Sequence, residues 1–186
     1  DDVTMRGLDA VGARGMAGLV DGRVTVRHEL ARVALEELVP AGRRRALHLR
    51  LLETLEGRPG TDGARLAHHA VMAGDRERVR VHAPAAAAVA ARRGAHRAAA
   101  EHLRRAIDAA TDEPARRQAE LWDELAAQHE RFDDRDVVIE LREQVIARWE
   151  MVGDVEREAR QRCLLAGTLF HTGAHRRGTE QIRVAR

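Results

Sequence analysis

The sequence predicts an all-α protein that carries one small β-hairpin near its start. Over most of the chain, apolar side chains recur at intervals of three and four residues, which is the spacing of an amphipathic helix. Asp21-Gly22 lies between two short β-prone runs, and this dipeptide is typical of a tight hairpin because both central residues of the turn need positive φ. The spacing of the later turns, close to 40 residues, indicates paired helices in a solenoid.

The composition excludes several classes of protein. The chain has 186 residues, 32 of them basic and 30 acidic, and every basic residue is arginine. Acids and bases alternate along the helices, so the pI of 9.7 does not predict a nucleic-acid-binding face. A single cysteine, Cys163, allows no internal disulfide and is typical of a reducing cytoplasm. Since no apolar run approaches the ~20 residues of a membrane span, we expect a cytoplasmic protein without membrane contact.

Residues 1–57 are predicted to form part of a winged-helix module. A weak helix over 4–17 precedes strands at 18–20 and 23–27, and two helices follow, separated by Pro40. A helix, a two-stranded wing and a further helix are the outline of that module's second half. The apolar stripes that mark the two later helices are Leu30, Val33, Ala34 and Leu38, and then Leu47, Leu51 and Leu55.

The segment 58–63 is the best candidate for a domain linker. It reads Arg-Pro-Gly-Thr-Asp-Gly, which is rich in turn formers and contains no large apolar side chain. We therefore predict a boundary there, between the partial winged helix and the helical repeats of residues 64–186. Because the chain opens at Asp1 rather than at methionine, we interpret it as a segment of a longer polypeptide.

Seven helices are predicted after the linker. Aligning the turns at Gly94, Asp133 and Gly173 gives a repeat of 39 to 40 residues with two helices per unit. Small and large residues alternate around Gly94 as in a tetratricopeptide repeat, so we predict about three irregular repeats of that type. The predicted helices are 63–73, 76–93, 95–110, 114–131, 135–151, 154–171 and 174–185. The stripes and small residues that support them are Ala87, Ala90, Ala99, Leu103 and Ala106; Val138, Leu141, Val145, Trp149 and Val152; and Ala159, Cys163, Ala166 and Phe170.

Two stretches resemble a known family. Residues 24–35 with 43–48, and then 67–70 with 94–103, are similar to the winged-helix region and first solenoid helices of large ATP-binding LuxR-type transcriptional regulators, a branch of the STAND ATPases. The resemblance implies a nucleotide-binding domain before this chain and a DNA-binding helix-turn-helix after it. No phosphate-loop motif occurs here, and a chain without lysine cannot contain one. ATP or ADP is thus expected only in the full-length protein, and DNA binding only through a domain absent here.

His28 is the candidate site residue. The resemblance implies that a histidine at this place contacts the β-phosphate of bound ADP in the full-length protein and so holds the inactive state. An imidazole N–H at a helix start is a suitable phosphate donor. A histidine that caps or packs the corner between strand and helix is the alternative. Arg43, Arg44 and Arg45 could dock on the nucleotide domain, although a solvated face is the more usual role of such a run.

The remaining polar and aromatic residues indicate neither a metal-binding site nor a catalytic site. His68 and His69, with His82, His96 and His102, are the candidate metal ligands, but no i, i+4 pair with a supporting carboxylate occurs among them. His171 and His175 have that spacing, but Gly173 interrupts the helix between them, so we expect no metal site. We predict that Cys163 is a core residue and that Trp122 and Trp149 pack between repeats, with a ligand-stacking groove as the alternative for one of them. Without a catalytic constellation, we expect no enzymatic activity.

Two functions remain open from the sequence. The first is the regulatory segment of an ATP-dependent bacterial transcriptional regulator, which contacts other protein domains or a small-molecule inducer and couples that contact to the nucleotide-binding domain. The alternative is a protein-binding solenoid scaffold without nucleotide control. A phosphate-loop ATPase within about 300 residues before Asp1 would distinguish the two, because only the regulator needs one.

Overall fold

The computed structural model describes residues 17–20, 23–26, 33, 37–132 and 135–185. The chain divides into two compact units, residues 1–47 and 48–186. The division falls before the segment 58–63 that the sequence marks as a linker. In the structure that segment forms a turn inside the second unit, where the Thr61 hydroxyl donates to the carbonyls of Leu55 and Arg58 at 2.9 Å each.

The hairpin lies where the sequence predicts it. Strand β1 (Ala17–Val20) pairs antiparallel with strand β2 (Arg23–Val26). Val20 lies opposite Arg23, so two residues connect the strands, as expected for an Asp-Gly turn. The helix predicted over 4–17 and most of the helix that follows the hairpin lie outside the described residues.

The described part of the chain is otherwise helical, and its helices are arranged like a solenoid. From the second helix onward, each helix packs against the next one along the chain. The all-α prediction is confirmed, and the predicted helix ends after the linker agree with the observed ends to within about two residues. The helices are α1 (Ala41–Glu56), α2 (Gly63–Ala73), α3 (Arg76–Arg92), α4 (His96–Ala109), α5 (Ala115–His129), α6 (Arg135–Val152), α7 (Val155–His171) and α8 (His175–Val184).

One type of turn ends four of these helices. After α3, the N–H of Gly94 donates to the carbonyl of Ala91, and the next N–H, of Ala95, donates to the carbonyl of Ala90. This is the Schellman pattern, which satisfies the last carbonyls of the helix and requires a positive φ that glycine adopts without strain. Gly94 has a φ of 74°. The same pair of bonds follows α2, α6 and α7 at Gly74, Gly153 and Gly173.

The turns recur with a longer period than the helix pairs. A Gly-Asp turn at Gly74 is repeated at Gly153, and the sequence Gly-Ala-His-Arg that starts at Gly94 is repeated at Gly173. Both recurrences span 79 residues, which equals two of the predicted 39- to 40-residue units. In each Gly-Asp turn the aspartate caps the following helix, since Asp75 accepts from the N–H of Arg78 and Asp154 from that of Arg157. α7 is therefore the counterpart of α3, and α8 of α4.

The core of the second unit is built largely from alanine. Small side chains line the contacts between successive helices, which lets their axes approach closely, while leucines and one tryptophan fill the remaining space. The predicted stripe on α6 is confirmed, with Val138, Val145 and Trp149 buried. The small residues buried between helices include Ala67, Ala70, Ala83, Ala87, Ala99, Ala106, Ala119, Ala126 and Ala166.

Three predicted stripes are wrong in detail. In the stripe before Pro40, the described members Val33 and Leu38 are 38% and 79% exposed. On α7, Cys163 is exposed rather than buried, and Phe170 is 39% exposed. On α1, Leu51 is 48% exposed, while its neighbour Leu52 is fully buried with Leu55. Both helices have consecutive or near-consecutive apolar residues, so spacing alone leaves two possible buried faces. None of the described helices is both long enough and apolar enough to cross a membrane.

Candidate functional site: a groove beside a buried arginine

Arg142 is a charged residue in the interior of the helical repeats. It lies on α6, its side chain is 2% exposed, and its guanidinium contacts residues of both neighbouring helices. From α5, Asp123 accepts from Nη1 at 2.8 Å, and Glu130 accepts from Nε at 3.1 Å and from Nη2 at 2.8 Å. From α7, the amide oxygen of Gln161 also accepts from Nη1. One side chain thus joins three helices.

The contacts of Arg142 form a closed network. Gln161, itself buried, returns a hydrogen bond from its Nε2 to Asp123 at 2.8 Å. Each carboxylate keeps some access to water, because Asp123 is 24% and Glu130 35% exposed. Burial of a guanidinium costs several kcal/mol unless partners compensate it, and charge-assisted hydrogen bonds of this kind are the stronger ones. The network therefore fixes how α5, α6 and α7 pack on one another.

A groove of about 380 Å³ opens beside this network. That volume lies within the range of small-molecule pockets, toward its lower end. The groove runs along α6 and α7, and Glu130, the residue that ends α5, belongs both to its wall and to the Arg142 network. The residues that line it are Glu130, Arg135, Val138, Cys163, Leu164, Gly167, Thr168 and His171.

The groove combines an apolar strip with polar groups. Val138, Leu164 and Gly167 supply the apolar strip. The ring of His171 donates from Nδ1 to the Gly167 carbonyl at 2.7 Å, so its other nitrogen is an acceptor in the neutral form. Arg135 donates to the His171 carbonyl at 3.3 Å. A ligand with an apolar body and one or two polar groups matches this lining.

Gly167 is a glycine in the lining of the groove. It lies within α7, and a Cβ added there would meet no atom within 4 Å. A glycine in a helix interior is destabilising by roughly 0.5–1 kcal/mol relative to alanine. Its counterpart one 79-residue period earlier is Ala88, an exposed residue of α3. The structure thus offers a position at which a side chain can be added to the groove without disturbing the core.

Among the candidate residues that the structure describes, Cys163 and His171 line this groove, whereas Trp122, Trp149 and the arginines of 43–45 do not. His28 lies outside the described residues. Arg43 and Arg45 are exposed in the first turns of α1, as expected for a solvated face. Trp149 is completely buried, so its predicted packing role is confirmed. Arg142 was missed because a buried arginine has no local signal: its partners come from two other helices.

A second cluster joins histidines that are distant in the sequence. His48 of α1 and His69 of α2 face each other with their Nδ1 atoms 2.9 Å apart, and the exposed ring of His68 lies beside both. Burial lowers the pKa of His69, and the nearby His68, His48 and Arg65 lower it further. No helical spacing relates His48 to His68 and His69, because they lie on two different helices, so the sequence does not predict this cluster.

Comparisons with known proteins support the fold and no more. No protein-family model matches the chain, and no curated protein matches its sequence. A similar solved structure is the crystal structure of BtubC (BKLC) from P. vanneervenii, with a TM-score of 0.50 and 20% sequence identity. The match covers 79% of this chain and 56% of BtubC, so this chain spans little more than half the length of that protein. At that identity the likeness is one of fold, and function has to be argued from the site.

Proposed function

We propose that this chain is the regulatory segment of an ATP-dependent bacterial transcriptional regulator, and that the groove of α6 and α7 binds its effector. The observation that carries the proposal is the sharing of Glu130 between the groove and the buried Arg142 network. The family resemblance of residues 24–35 and 94–103 suggests the type of regulator. The proposal assigns binding to this chain and assigns no catalysis to it.

The shared Glu130 provides a physical route from binding to helix packing. A ligand that hydrogen-bonds Glu130 competes with Arg142 for the same carboxylate. Any weakening of the Arg142 contacts changes the free energy of packing among α5, α6 and α7, because these contacts join all three. A ligand can shift such an equilibrium only through its different affinity for the two packings, typically by about 1–3 kcal/mol.

The effector is proposed to be a small inducer rather than a large protein surface. The open groove has a volume in the range of small-molecule sites, and its lining combines polar groups with an apolar strip. In the full-length protein, the change in helix packing would favour release of the ADP-bound state, which His28 is proposed to hold through a contact with the β-phosphate. A scaffold without nucleotide control is the rival function, and there the groove would receive a side chain of a partner protein.

The proposal is tested by filling the groove in the full-length regulator. Gly167→Leu places an isobutyl group in the groove from a position with open space around its Cβ. We expect this variant to fold and to lose most inducer-dependent transcription in a reporter assay, because the effector can no longer enter. Ala88→Leu is the matched control, since it adds the same kind of bulk at the counterpart position of α3 and should leave induction unchanged.

Two outcomes would contradict the proposal. Full induction with Gly167→Leu would mean that the effector binds elsewhere. Equal loss with both leucine variants would mean that added bulk on the repeats, and not the groove, is responsible. Far-UV circular dichroism and denaturant melts of both variants establish that any loss is not due to unfolding.

A further inference from the structure

Three histidine side chains of α1 and α2 have the arrangement of a transition-metal site. One ring nitrogen of each of His48, His68 and His69 lies within 4.8 Å of the corresponding nitrogen of the others. His48 and His69 are the closest pair, at 2.9 Å between their Nδ1 atoms. Three imidazoles from two separate helices thus converge on one small volume.

The distances suit a tetrahedral ion. Zinc binds histidine nitrogen at about 2.0–2.1 Å, which places two tetrahedral nitrogen ligands about 3.3 Å apart. The 2.9 Å between the Nδ1 atoms of His48 and His69 is slightly shorter than that value, and one nitrogen of each of the three rings lies within 4.8 Å of the others. The side chains are exposed or half-buried, so changes of rotamer are the adjustment that coordination would call for.

The rings approach from different directions, as ligands of one ion must. The plane of His48 is tilted by 38° to that of His69 and by 75° to that of His68, and the latter two are tilted by 68°. Parallel stacked rings would direct their nitrogens away from a common centre.

The donor set selects the class of ion. Imidazole nitrogen suits Zn²⁺, Cu²⁺ and Ni²⁺, whereas Ca²⁺ and Mg²⁺ require oxygen ligands. Three protein ligands leave one tetrahedral position for water, and the exposed side chain of His68 gives the ion a path from solvent. Arg65, one helical turn before His69, is a nearby positive charge that opposes a cation, so the affinity is expected to be moderate.

We propose that His48, His68 and His69 bind one divalent transition-metal ion, with Zn²⁺ as the best match, and that the ion holds α1 against α2. This inference goes beyond the proposed function. The site lies on other helices than the groove of α6 and α7, and it does not depend on the identity of the effector. Coordination by both helices would replace the hydrogen bond between His48 and His69 with bonds to a common ion.

The test uses the 186-residue chain, free of any affinity tag and dialysed against a chelator. Titration with ZnCl₂ in a calorimeter should show one equivalent bound, and CoCl₂ should give the visible absorption of a tetrahedral cobalt site. His48→Ala and His69→Ala should each weaken Zn²⁺ binding at least about tenfold, the size of effect seen even for residues that only support ligands. His96→Ala is the control, because His96 bonds to Gln128 on α5 and lies outside the cluster.

A measurement without substitutions keeps the proposal falsifiable if a variant fails to fold. In the unchanged chain, Zn²⁺ should shift the ring-nitrogen NMR signals of three of the ten histidines and leave the others in place. Binding weaker than about 1 mM, which corresponds to a binding free energy of less than about 4 kcal/mol, would overturn the site. Unchanged affinity in folded His48→Ala, or shifts spread over all histidines, would overturn it equally.

Discussion

Two glycines within helices differ in what surrounds them, and this difference decides what a side chain would do there. At Gly167 on α7, an added Cβ meets open space. At Gly178 on α8, the same atom would lie 2.8 Å from a ring carbon of Phe170, closer than carbon atoms pack. Gly178 is the counterpart of the buried Ala99, one 79-residue period earlier. Gly178 lacks the methyl group that Ala99 carries, and the ring of Phe170 lies against the space that this group would occupy.

Substituting alanine at the two positions should therefore change stability in opposite directions. Gly167→Ala should raise the free energy of unfolding by about 0.5–1 kcal/mol, since alanine is the better helix former and nothing obstructs it. Gly178→Ala should lower it by roughly 1 kcal/mol, because overpacking forces the Phe170 ring aside. Urea melts of both variants and the parent chain measure the two changes directly.

The source of the Gly178 cost can be isolated with Phe170→Ala. If the ring is responsible, Gly178→Ala should be nearly neutral or stabilising in the Phe170→Ala background. The same loss in both backgrounds would mean that the ring contact is not the cause.

At the scale of the helix, the sequence predicts where a helix begins and ends better than it predicts which face of the helix is buried. Glycine and aspartate mark the ends because the backbone needs them there: Gly94 ends α3 with a positive φ, and Asp75 caps its start. These are local requirements, and local sequence reveals them. The predicted ends after residue 63 accordingly agree with the observed ones.

The face of α7 was not predictable in the same way. The spacing of apolar residues predicts that Ala159, Cys163, Ala166 and Phe170 form the buried face. The side chains that are buried are Gln161, Leu165, Ala166 and Leu169. Gln161 is polar, and it is buried because Arg142 and Asp123 satisfy its amide. Hydropathy assigns a glutamine to the surface, so the correct face could not be found without the partner helices. The sequence could not predict the contact between His48 and His69 for the same reason, because the two residues are 21 positions apart and lie on different helices.

The Arg142 network should contribute strongly to the packing of α5, α6 and α7. Arg142→Met removes the guanidinium and leaves two carboxylates and an amide at the edge of an apolar contact. Breaking a buried pair typically costs 3–5 kcal/mol, and partial hydration of Asp123 and Glu130 reduces this, so we expect a loss of about 2–3 kcal/mol. Denaturant melts monitored by circular dichroism measure it.

Arg177→Met is the matched control for that loss. Arg177 of α8 pairs with Glu143 of α6 at 2.8 Å, and both side chains are about half exposed or more. Exposed pairs contribute only about 0–1 kcal/mol. Similar losses for the two variants would show that Arg142 stabilises no more than a surface arginine, and the proposed route from the groove to helix packing would lose its basis.

At the scale of the whole molecule, many of the described charges pair with one another. Arginines on the repeats pair with acids of their own helix, of neighbouring helices or of turns, as Arg80 does with Asp112 and Glu113 after α4, and Arg162 with Glu150 of α6 and Glu158 of α7. A protein that binds DNA specifically presents its basic groups on one face to phosphates and base edges. The near-equal totals of 32 basic and 30 acidic residues are consistent with the paired arrangement seen here.

The last prediction concerns ATP hydrolysis and specific DNA binding, which we assign to other parts of the proposed regulator and not to this chain. The 186-residue chain alone should not hydrolyse ATP, because it has no lysine and therefore no phosphate-loop motif. It should also show no sequence-specific DNA binding in a gel shift at ~150 mM salt. Weak binding that salt removes would not count against this prediction, since phosphates attract any arginine-rich surface and that attraction falls steeply with salt. A complex that survives at this salt concentration and prefers one sequence over a scrambled competitor would place DNA recognition within this chain, either in the predicted winged-helix segment or in the helical repeats. The expectation that DNA is bound only through a domain absent here would then be wrong.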